Sequence, residues 1–331
     1  MVDFRYHLVS LISVFIALAL GVVLGAGPLQ TPIASGLTGQ VATLREEQAA
    51  ISAQVETARN DIAQRNEWIT ANTSQLVEGT LQDVNVAIVS FEDTRAEDVD
   101  AATALLTSAG AKVNQKLTVT SAWTQAQMSQ YRSSLSSAIG THLATKPADD
   151  ASAAAILAQG LVEAITRDDA EAKVVREMLS DESNSLVTFG QEPVKSEAVL
   201  IVGAPSETPA ASTPTPTPTP SAEATPTPVG EPDPNMWLEL ARFAAQAPKS
   251  AVVVGGAKQA DDLVAIVRAA QIPVTTVDSV DTSMGIASAV MALPSADATQ
   301  RAYGFAGGAS DVLPPLVKPN PTAQPEETPS E

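Results

Sequence analysis

Residues 8–29 have the sequence LVSLISVFIALALGVVLGAGPL, in which no side chain carries a charge. The first ionisable side chain after this stretch is Arg45. A helix of about 20 apolar residues is long enough to cross a hydrocarbon layer of about 30 Å. We therefore predict a membrane anchor over residues 8–29. The polar, acidic chain that follows should lie on one side of the membrane.

This stretch has two other interpretations, a cleavable signal peptide and a buried core helix. Gly25-Ala26-Gly27 resembles the small-residue cleavage site of a signal peptide, but the apolar run is longer than such a peptide needs. Whether the segment is cleaved stays open. A buried core helix is disfavoured, because no other stretch is apolar enough to surround it.

Arg5 precedes the run and Arg45 follows it at a distance, so the positive-inside tendency predicts a single-pass protein of the cell membrane. Residues 1–7 would be cytoplasmic and the bulk of the chain extracytoplasmic.

The predicted anchor carries a small residue at every fourth position: Ser13, Ala17, Gly21 and Gly25. Small residues along one face of a membrane helix let two helices approach closely. Glycine and alanine are also common in membrane helices in general. The pattern alone therefore leaves both interpretations open.

Residues 36–78 carry a heptad pattern in which positions step by four and three, and nine of the twelve positions are apolar. This spacing is typical of a coiled coil. Together with the small face of the anchor it favours a parallel homodimer. The alternative is a single amphipathic helix that folds back on the globular domain. Gly79 is expected to end the helix. The twelve positions are Leu37, Val41, Leu44, Gln48, Ile51, Val55, Ala58, Ile62, Arg65, Ile69, Asn72 and Leu76.

Residues 80–312 alternate short β-branched runs with stretches of helical periodicity. This order predicts an α/β domain with a mostly parallel sheet covered by helices. The predicted strands are 84–90, 112–120, 199–203, 251–256 and 274–277, the last of which should close the series. The predicted helices are 94–109, 122–144, 148–180, 236–246 and 261–270.

Two segments have a different composition. Residues 204–234 contain repeated Thr-Pro pairs and few apolar side chains, and residues 313–331 are also rich in proline. Such sequences form extended or disordered chain rather than a packed core. We predict a disordered surface insert and a disordered tail.

The composition and motifs of the chain argue against several classes of function. A net charge of −19 argues against nucleic acid and anionic lipid surfaces as partners of the exported part. The chain has no cysteine, and its only histidines are His7 and His142, so thiolate sites and histidine-based sites are not expected. Val254-Gly255-Gly256-Ala257 lacks the spacing of a phosphate-binding loop and is interpreted as a tight turn. No catalytic residue, cofactor site or metal ligand is predicted, and the chain is not expected to be an enzyme.

Residues 5–29, RYHLVSLISVFIALALGVVLGAGPL, resemble the N-terminal region of the actinobacterial MctB family of copper transporters. Residues 241–257 (ARFAAQAPKSAVVVGGA), residues 276–293 (TVDSVDTSMGIASAVMAL) and Tyr303-Gly304 extend the resemblance in order along the chain. It implies a role in copper export or copper homeostasis at the cell envelope of an actinobacterium. Copper would then be the transported ion and not a cofactor.

Two hypotheses follow. The resemblance implies a membrane protein of copper transport, although a single span without ionisable or sulfur-containing side chains cannot conduct a metal ion by itself. The residues alone favour a non-enzymatic dimeric coiled-coil scaffold that recruits or regulates an envelope partner, such as a cell-wall enzyme. A weaker third hypothesis is a small-ligand sensor that uses the carboxyl ends of the strands.

Overall fold

The computed structural model describes residues 4–25, 30–181, 183–190, 194–207 and 232–317. The chain divides into two compact units, residues 1–65 and residues 66–331. Most of the predicted disordered insert and tail, residues 208–231 and 318–331, lie outside the described residues, as do the side chains of residues 30–39.

The first unit contains helix α1 (Phe4–Gly25) and most of helix α2 (Gln30–Val77). In α1 the window Tyr6–Val23 has a mean hydropathy of 2.3, and none of its residues is buried. Among the described residues this is the one helix that is long and apolar enough to cross a membrane. The helix thus coincides with most of the predicted anchor, whose residues 26–29 lie outside the description.

The second unit begins within α2, at Asn66. The side chain of Thr73 is 5% exposed and that of Val77 is 1% exposed, so the last turns of α2 pack into the second unit. Gly79 has a φ of 72°, a conformation that glycine adopts without strain. The helix therefore ends at Val77, two residues before the glycine predicted to terminate it.

Among the described residues seven strands form one sheet, in which every neighbouring pair is parallel except the pair of β2 and β3. The mostly parallel α/β architecture is therefore confirmed. In chain order the strands are β1 (Asn85–Phe91), β2 (Lys112–Val119), β3 (Val187–Phe189), β4 (Ala198–Val202), β5 (Ser250–Val254), β6 (Thr275–Val277) and β7 (Arg301–Tyr303), and their order across the sheet is β3-β2-β1-β4-β5-β6-β7. The prediction that residues 274–277 would close the series was wrong, because β7 pairs beyond β6.

The helices of this unit are α3 (Ala96–Ser108), α4 (Ser129–Ile139), α5 (Ala153–Thr166), α6 (Ala170–Leu179), α7 (Asn235–Ala244), α8 (Leu263–Ala269) and α9 (Ser283–Ala292), with short 3-10 turns at Ser121–Trp123, Ala126–Met128 and Leu293–Ser295. The single helix predicted over 148–180 is divided into α5 and α6. Arg167 between them is extended, and the Asp169 carboxylate accepts a hydrogen bond from the Ala172 N–H at 2.9 Å. Asp169 thereby caps a new helix instead of continuing the previous one.

Side chains alternate between two apolar cores, one on each face of the sheet. Along β1, Ala87 and Val89 face the core formed with α4 to α8, whereas Val86 and Ile88 face the core formed with α3, α9 and the end of α2. Both faces of the sheet are covered, as predicted.

Strand β1 lies between β2 and β4, with β3 beyond β2 and β5 to β7 beyond β4. The chain therefore builds the sheet outward in both directions from β1. In open parallel sheets a crevice forms outside the carboxyl ends of the strands at such a reversal point, and ligands bind there.

Candidate functional site

A cleft of about 350 Å³ opens at the carboxyl ends of β1 and β4. Its wall includes Phe91 at the end of β1, Gly203 directly after β4, and Leu263 at the start of α8. The topology of the sheet thus positions this cleft at the reversal point of the strand order.

One wall of the cleft is aromatic. Phe91 and Trp237 pack edge to face, with ring centroids 4.4 Å apart and ring planes at 78°. Phe91 comes from β1 and Trp237 from the first turn of α7, so a central strand and a surface helix hold the pair together. Trp237 is only partly buried and lines the cleft.

The rest of the lining is rich in acid. Four carboxylates line the cleft, against one guanidinium, that of Arg95. Of the four, the Asp93, Glu207 and Asp261 carboxylates form no hydrogen bond or ion pair with the described residues. The fourth is the carboxylate of Asp262.

The guanidinium of Arg95 is already paired within its own helix turn. Its Nε and Nη2 each donate to the Asp98 carboxylate at 2.9 Å, and its Nη1 lies 3.3 Å from Glu97. The hydrogen bonds to Asp98 raise the pKa of Arg95 above its ordinary value. Because two carboxylates neutralise this cation, the cleft keeps an excess of negative charge.

A hydrogen-bonded loop fixes the side of the cleft formed by residues 203–207. The Ser206 hydroxyl donates to the Asp262 carboxylate at 2.5 Å and accepts from the N–H groups of Ala257 and Lys258 at 3.1 and 3.0 Å. With one bond donated and two accepted, this hydroxyl is saturated and holds the loop in place. A Cβ at Gly256 would lie 2.6 Å from the backbone N of Ser206, so glycine is required where the two loops approach. The turn predicted over residues 254–257 therefore serves this close approach.

A second polar centre lies inside the domain, at the end of β6. Asp278 is fully buried and its carboxylate accepts from Arg268 Nη1 at 3.0 Å, from the Ser279 hydroxyl at 2.7 Å, and from the N–H groups of Phe305 and Ala306 at 2.8 and 3.1 Å. Arg268 also donates to the carbonyl of Tyr303 at 2.9 Å, at the end of β7. The pair thus binds the loop after β7 to the end of β6.

Burial alone would raise the pKa of Asp278. The N–H of Phe305, the Ser279 hydroxyl and the Arg268 guanidinium outweigh that effect and hold the pKa below its ordinary value. The carboxylate is therefore ionised at neutral pH and permanently paired. Since every polar atom of the pair points at a protein group, this centre stabilises the fold.

Within the described ranges, no three histidine or carboxylate groups lie close enough together to hold a metal ion. The His142 Nδ1 instead lies 2.6 Å from Glu171. The carboxylates of the cleft therefore do not converge on one point as metal ligands do.

The predicted packing face of the anchor lies on α1. Ser13, Ala17 and Gly21 are exposed, and a Cβ added at Gly21 would meet nothing within 4 Å. The Ser13 hydroxyl donates to the carbonyl of Val9 at 2.8 Å, so it has a partner within its own helix. Gly25 is the last residue of α1 and its surroundings lie outside the description.

The predicted seam of the coiled coil lies on α2. Ile69 is half-buried, and the side chain of Leu37 lies outside the description. The other seven apolar heptad positions are exposed in the single chain. One of them is Ala58, and the six larger side chains are 40–62% exposed: Val41, Leu44, Ile51, Val55, Ile62 and Leu76.

Comparison with known proteins relates the whole of this architecture to one family. The family described as "Copper transport outer membrane protein, MctB" matches residues 1–314. Proteins named "Copper transporter MctB" from Mycobacterium bovis and Mycobacterium tuberculosis are 29% identical to the chain over 158 residues. The matched region covers 46% of this chain and 50% of each relative, so the chain spans about half the length of the curated relatives it matches.

Proposed function

The chain belongs to the MctB family of copper transport proteins, and from this premise we propose that it acts in copper export or copper homeostasis at the cell envelope. The observation that carries the proposal is the extent of the family match, which runs from the apolar helix α1 to the loop after β7. The names of the family and of the mycobacterial relatives describe transport and not an enzyme.

We place α1 in the cell membrane with the N-terminus in the cytoplasm and the α/β domain outside. This orientation is supported by Arg5 ahead of the apolar window and by the acidic composition of everything beyond α2. An ion in hydrocarbon needs a polar path, and the only ionisable side chains of the window Tyr6–Val23 are Tyr6 and His7, at its edge. Copper would therefore move through an assembly, or through a partner that this protein controls.

The assembly we propose is a parallel homodimer joined along α2. Its support is the row of apolar seam side chains, which are 40–62% exposed in the single chain although they repeat at coiled-coil spacing. Exposed apolar rows of this length are unfavourable in water and are covered when a second helix packs against them. The small face of α1 continues the same contact into the membrane.

Copper content tests the transport proposal. Cell-associated copper is measured in a strain that lacks the gene, grown in added copper, with and without the gene restored. We expect copper to accumulate in the deletion strain and to return to the parental level on restoration. If copper content is unchanged, the transport role is wrong for this chain.

The chain has no cysteine, so single cysteines can test the dimer directly. Val55→Cys lies on the seam, whereas Asn60→Cys lies on the opposite side of the same exposed helix. In membranes under mild oxidation, Val55→Cys should form a disulfide-linked dimer and Asn60→Cys should not. Equal crosslinking of the two variants, or none in Val55→Cys, contradicts the coiled coil.

A second candidate function is a non-enzymatic envelope scaffold that recruits or regulates a partner such as a cell-wall enzyme. The exposed seam and the absence of a polar path in α1 favour it. Replacing Ile51, Val55 and Ile62 by Asp should abolish the function of a dimeric scaffold. A deletion strain with unchanged copper, whose defect in the envelope is not rescued by this triple variant, would favour the scaffold over transport.

A further inference from the structure

We propose that the cleft at the carboxyl ends of β1 and β4 binds a small organic cation, an ammonium group attached to an apolar body. This site is separate from the copper role and from the dimer. Its test therefore succeeds or fails independently of theirs.

The position and size of the cleft suit a small ligand. It opens where the strand order reverses, which is the usual ligand position in open parallel sheets. Its volume of about 350 Å³ lies within the range of small-molecule pockets. The hydrogen bonds of Ser206 to Asp262 and to the loop after β5 fix one wall in advance, so little ordering is needed when a ligand enters.

The charge of the lining selects the sign of the ligand. The three carboxylates of Asp93, Glu207 and Asp261 have no cationic partner among the described residues, while Arg95 is held by Asp98 and Glu97. A cation entering the cleft gains three attractions and meets a guanidinium that is already neutralised. An anion would meet uncompensated like charges.

The aromatic wall selects the form of the cation. The partly exposed ring of Trp237, backed by the buried ring of Phe91, gives the cleft an apolar, π-rich surface, which attracts ammonium groups and packs against hydrocarbon. A bare metal ion would need several oxygen ligands at about 2–2.6 Å. No such cluster of carboxylates exists among the described residues. Dispersed carboxylates beside an aromatic wall fit a cation whose charge lies on a larger body.

Isothermal titration of the full chain in an uncharged detergent tests the proposal with three probes that share one body: phenethylamine, 2-phenylethanol and phenylacetate. We expect phenethylamine to bind at least about tenfold more tightly than the alcohol, because several carboxylates each contribute a factor of a few. Phenylacetate should not bind. No binding of phenethylamine at millimolar concentration, or equal binding of amine and alcohol, overturns the proposal.

Variants assign the binding to the cleft. Asp261→Asn should weaken phenethylamine binding about two- to fivefold, and Trp237→Leu about fivefold. Asp149→Asn is the matched control, because it removes the same charge from a side chain that is 92% exposed and does not line the cleft. It should leave the affinity unchanged. If Asp149→Asn and Asp261→Asn weaken binding equally, the cation binds to the acidic surface in general and the assignment is wrong. Asp261 is itself exposed, so its variant tests the site even if Trp237→Leu fails to fold.

Discussion

Replacing Asp278 by Asn should strongly destabilise the α/β domain while changing almost nothing in its shape. The carboxylate accepts four hydrogen bonds, two of them from backbone N–H groups of the loop after β7. An amide keeps one oxygen and presents an NH₂ group to donors, so at least one of the four donors loses its acceptor. The substitution also leaves Arg268, whose side chain is 6% exposed, without its counter-charge.

The expected cost follows from these contacts. Breaking a buried ion pair by removing one partner typically costs about 3–5 kcal/mol, because the other charge stays buried and unpaired. For a domain of this size, that loss corresponds to a fall in melting temperature of about 6–20 °C. The loop after β7 should be the part that loosens most, since the N–H groups of Phe305 and Ala306 bind different carboxylate oxygens and one of the two loses its acceptor.

Urea unfolding of the full chain in an uncharged detergent, followed by tryptophan emission, measures the change in free energy of unfolding. Trp123, the last residue of the first 3-10 turn, is fully buried and its indole N–H donates to the carbonyl of Met236 in α7, so its emission reports loss of packing in the domain. The matched control is Asp297→Asn, which removes one partner of the exposed Arg301–Asp297 pair. Its midpoint should stay close to that of the parent, because exposed pairs contribute little. If Asp278→Asn changes the midpoint no more than Asp297→Asn does, the buried pair does not stabilise the domain as reasoned.

Two further predictions concern the same domain. The contacts that hold the pKa of Asp278 below its ordinary value exist only in the folded chain, so their stabilising effect is complete above the unfolded pKa of about 3.9 and is lost as the pH falls through the folded pKa. Below about pH 4 the free energy of unfolding of the parent should therefore fall more steeply than that of Asp278→Asn, and parallel pH profiles would contradict this account. Gly160→Ala should destabilise the domain by about 1–3 kcal/mol, because a Cβ there would lie 2.7 Å from Ile139 Cγ2 in the core. Gly307→Ala, where a Cβ meets nothing within 4 Å, is its control, and equal denaturation midpoints for the two variants would show that the core yields at Gly160.

The longer strands could be predicted because their local sequences indicate burial on both faces of a sheet. VNVAIVS at residues 84–90 and AVLIV at residues 198–202 are runs of β-branched and apolar residues, as expected of strands buried on both faces. The three-residue strands β3 and β7 have no such run. Val187–Phe189 and Arg301–Tyr303 form strands because they pair with β2 and β6. Pairing with a distant segment cannot be predicted from the local sequence.

The sequence contains a local signal for the division of the predicted helix 148–180. The helical periodicity of the apolar residues outweighed that signal in the prediction. Aspartate is a residue type that commonly caps helix N-termini, and Asp169 caps α6. The apolar spacing of α5 and α6 is similar on both sides of the break, so a periodic pattern ran through it.

The candidate site was far less predictable than the fold. Its walls come from β1, from the residues after β4 and from α7, and the last two lie more than a hundred residues beyond β1 in the chain. The sequence indicated only that ligands bind at carboxyl ends of parallel strands, without saying which strands are neighbours. The pairing of Arg268 with Asp278 likewise could not be predicted, because the sequence around the two residues does not indicate that they form an ion pair.

The route by which the chain enters the sheet has a mechanical consequence. After the end of α2, the chain passes Leu81 and becomes β1, an interior strand that is hydrogen-bonded to β2 along all seven residues and to β4 along Val86–Ser90. Tension applied to the helix would thus reach the sheet at the amino end of a strand held on both sides. To extract β1, a pulling force must break two ladders together, whereas an edge strand would yield after one. A tether joined at this point resists being torn from its domain.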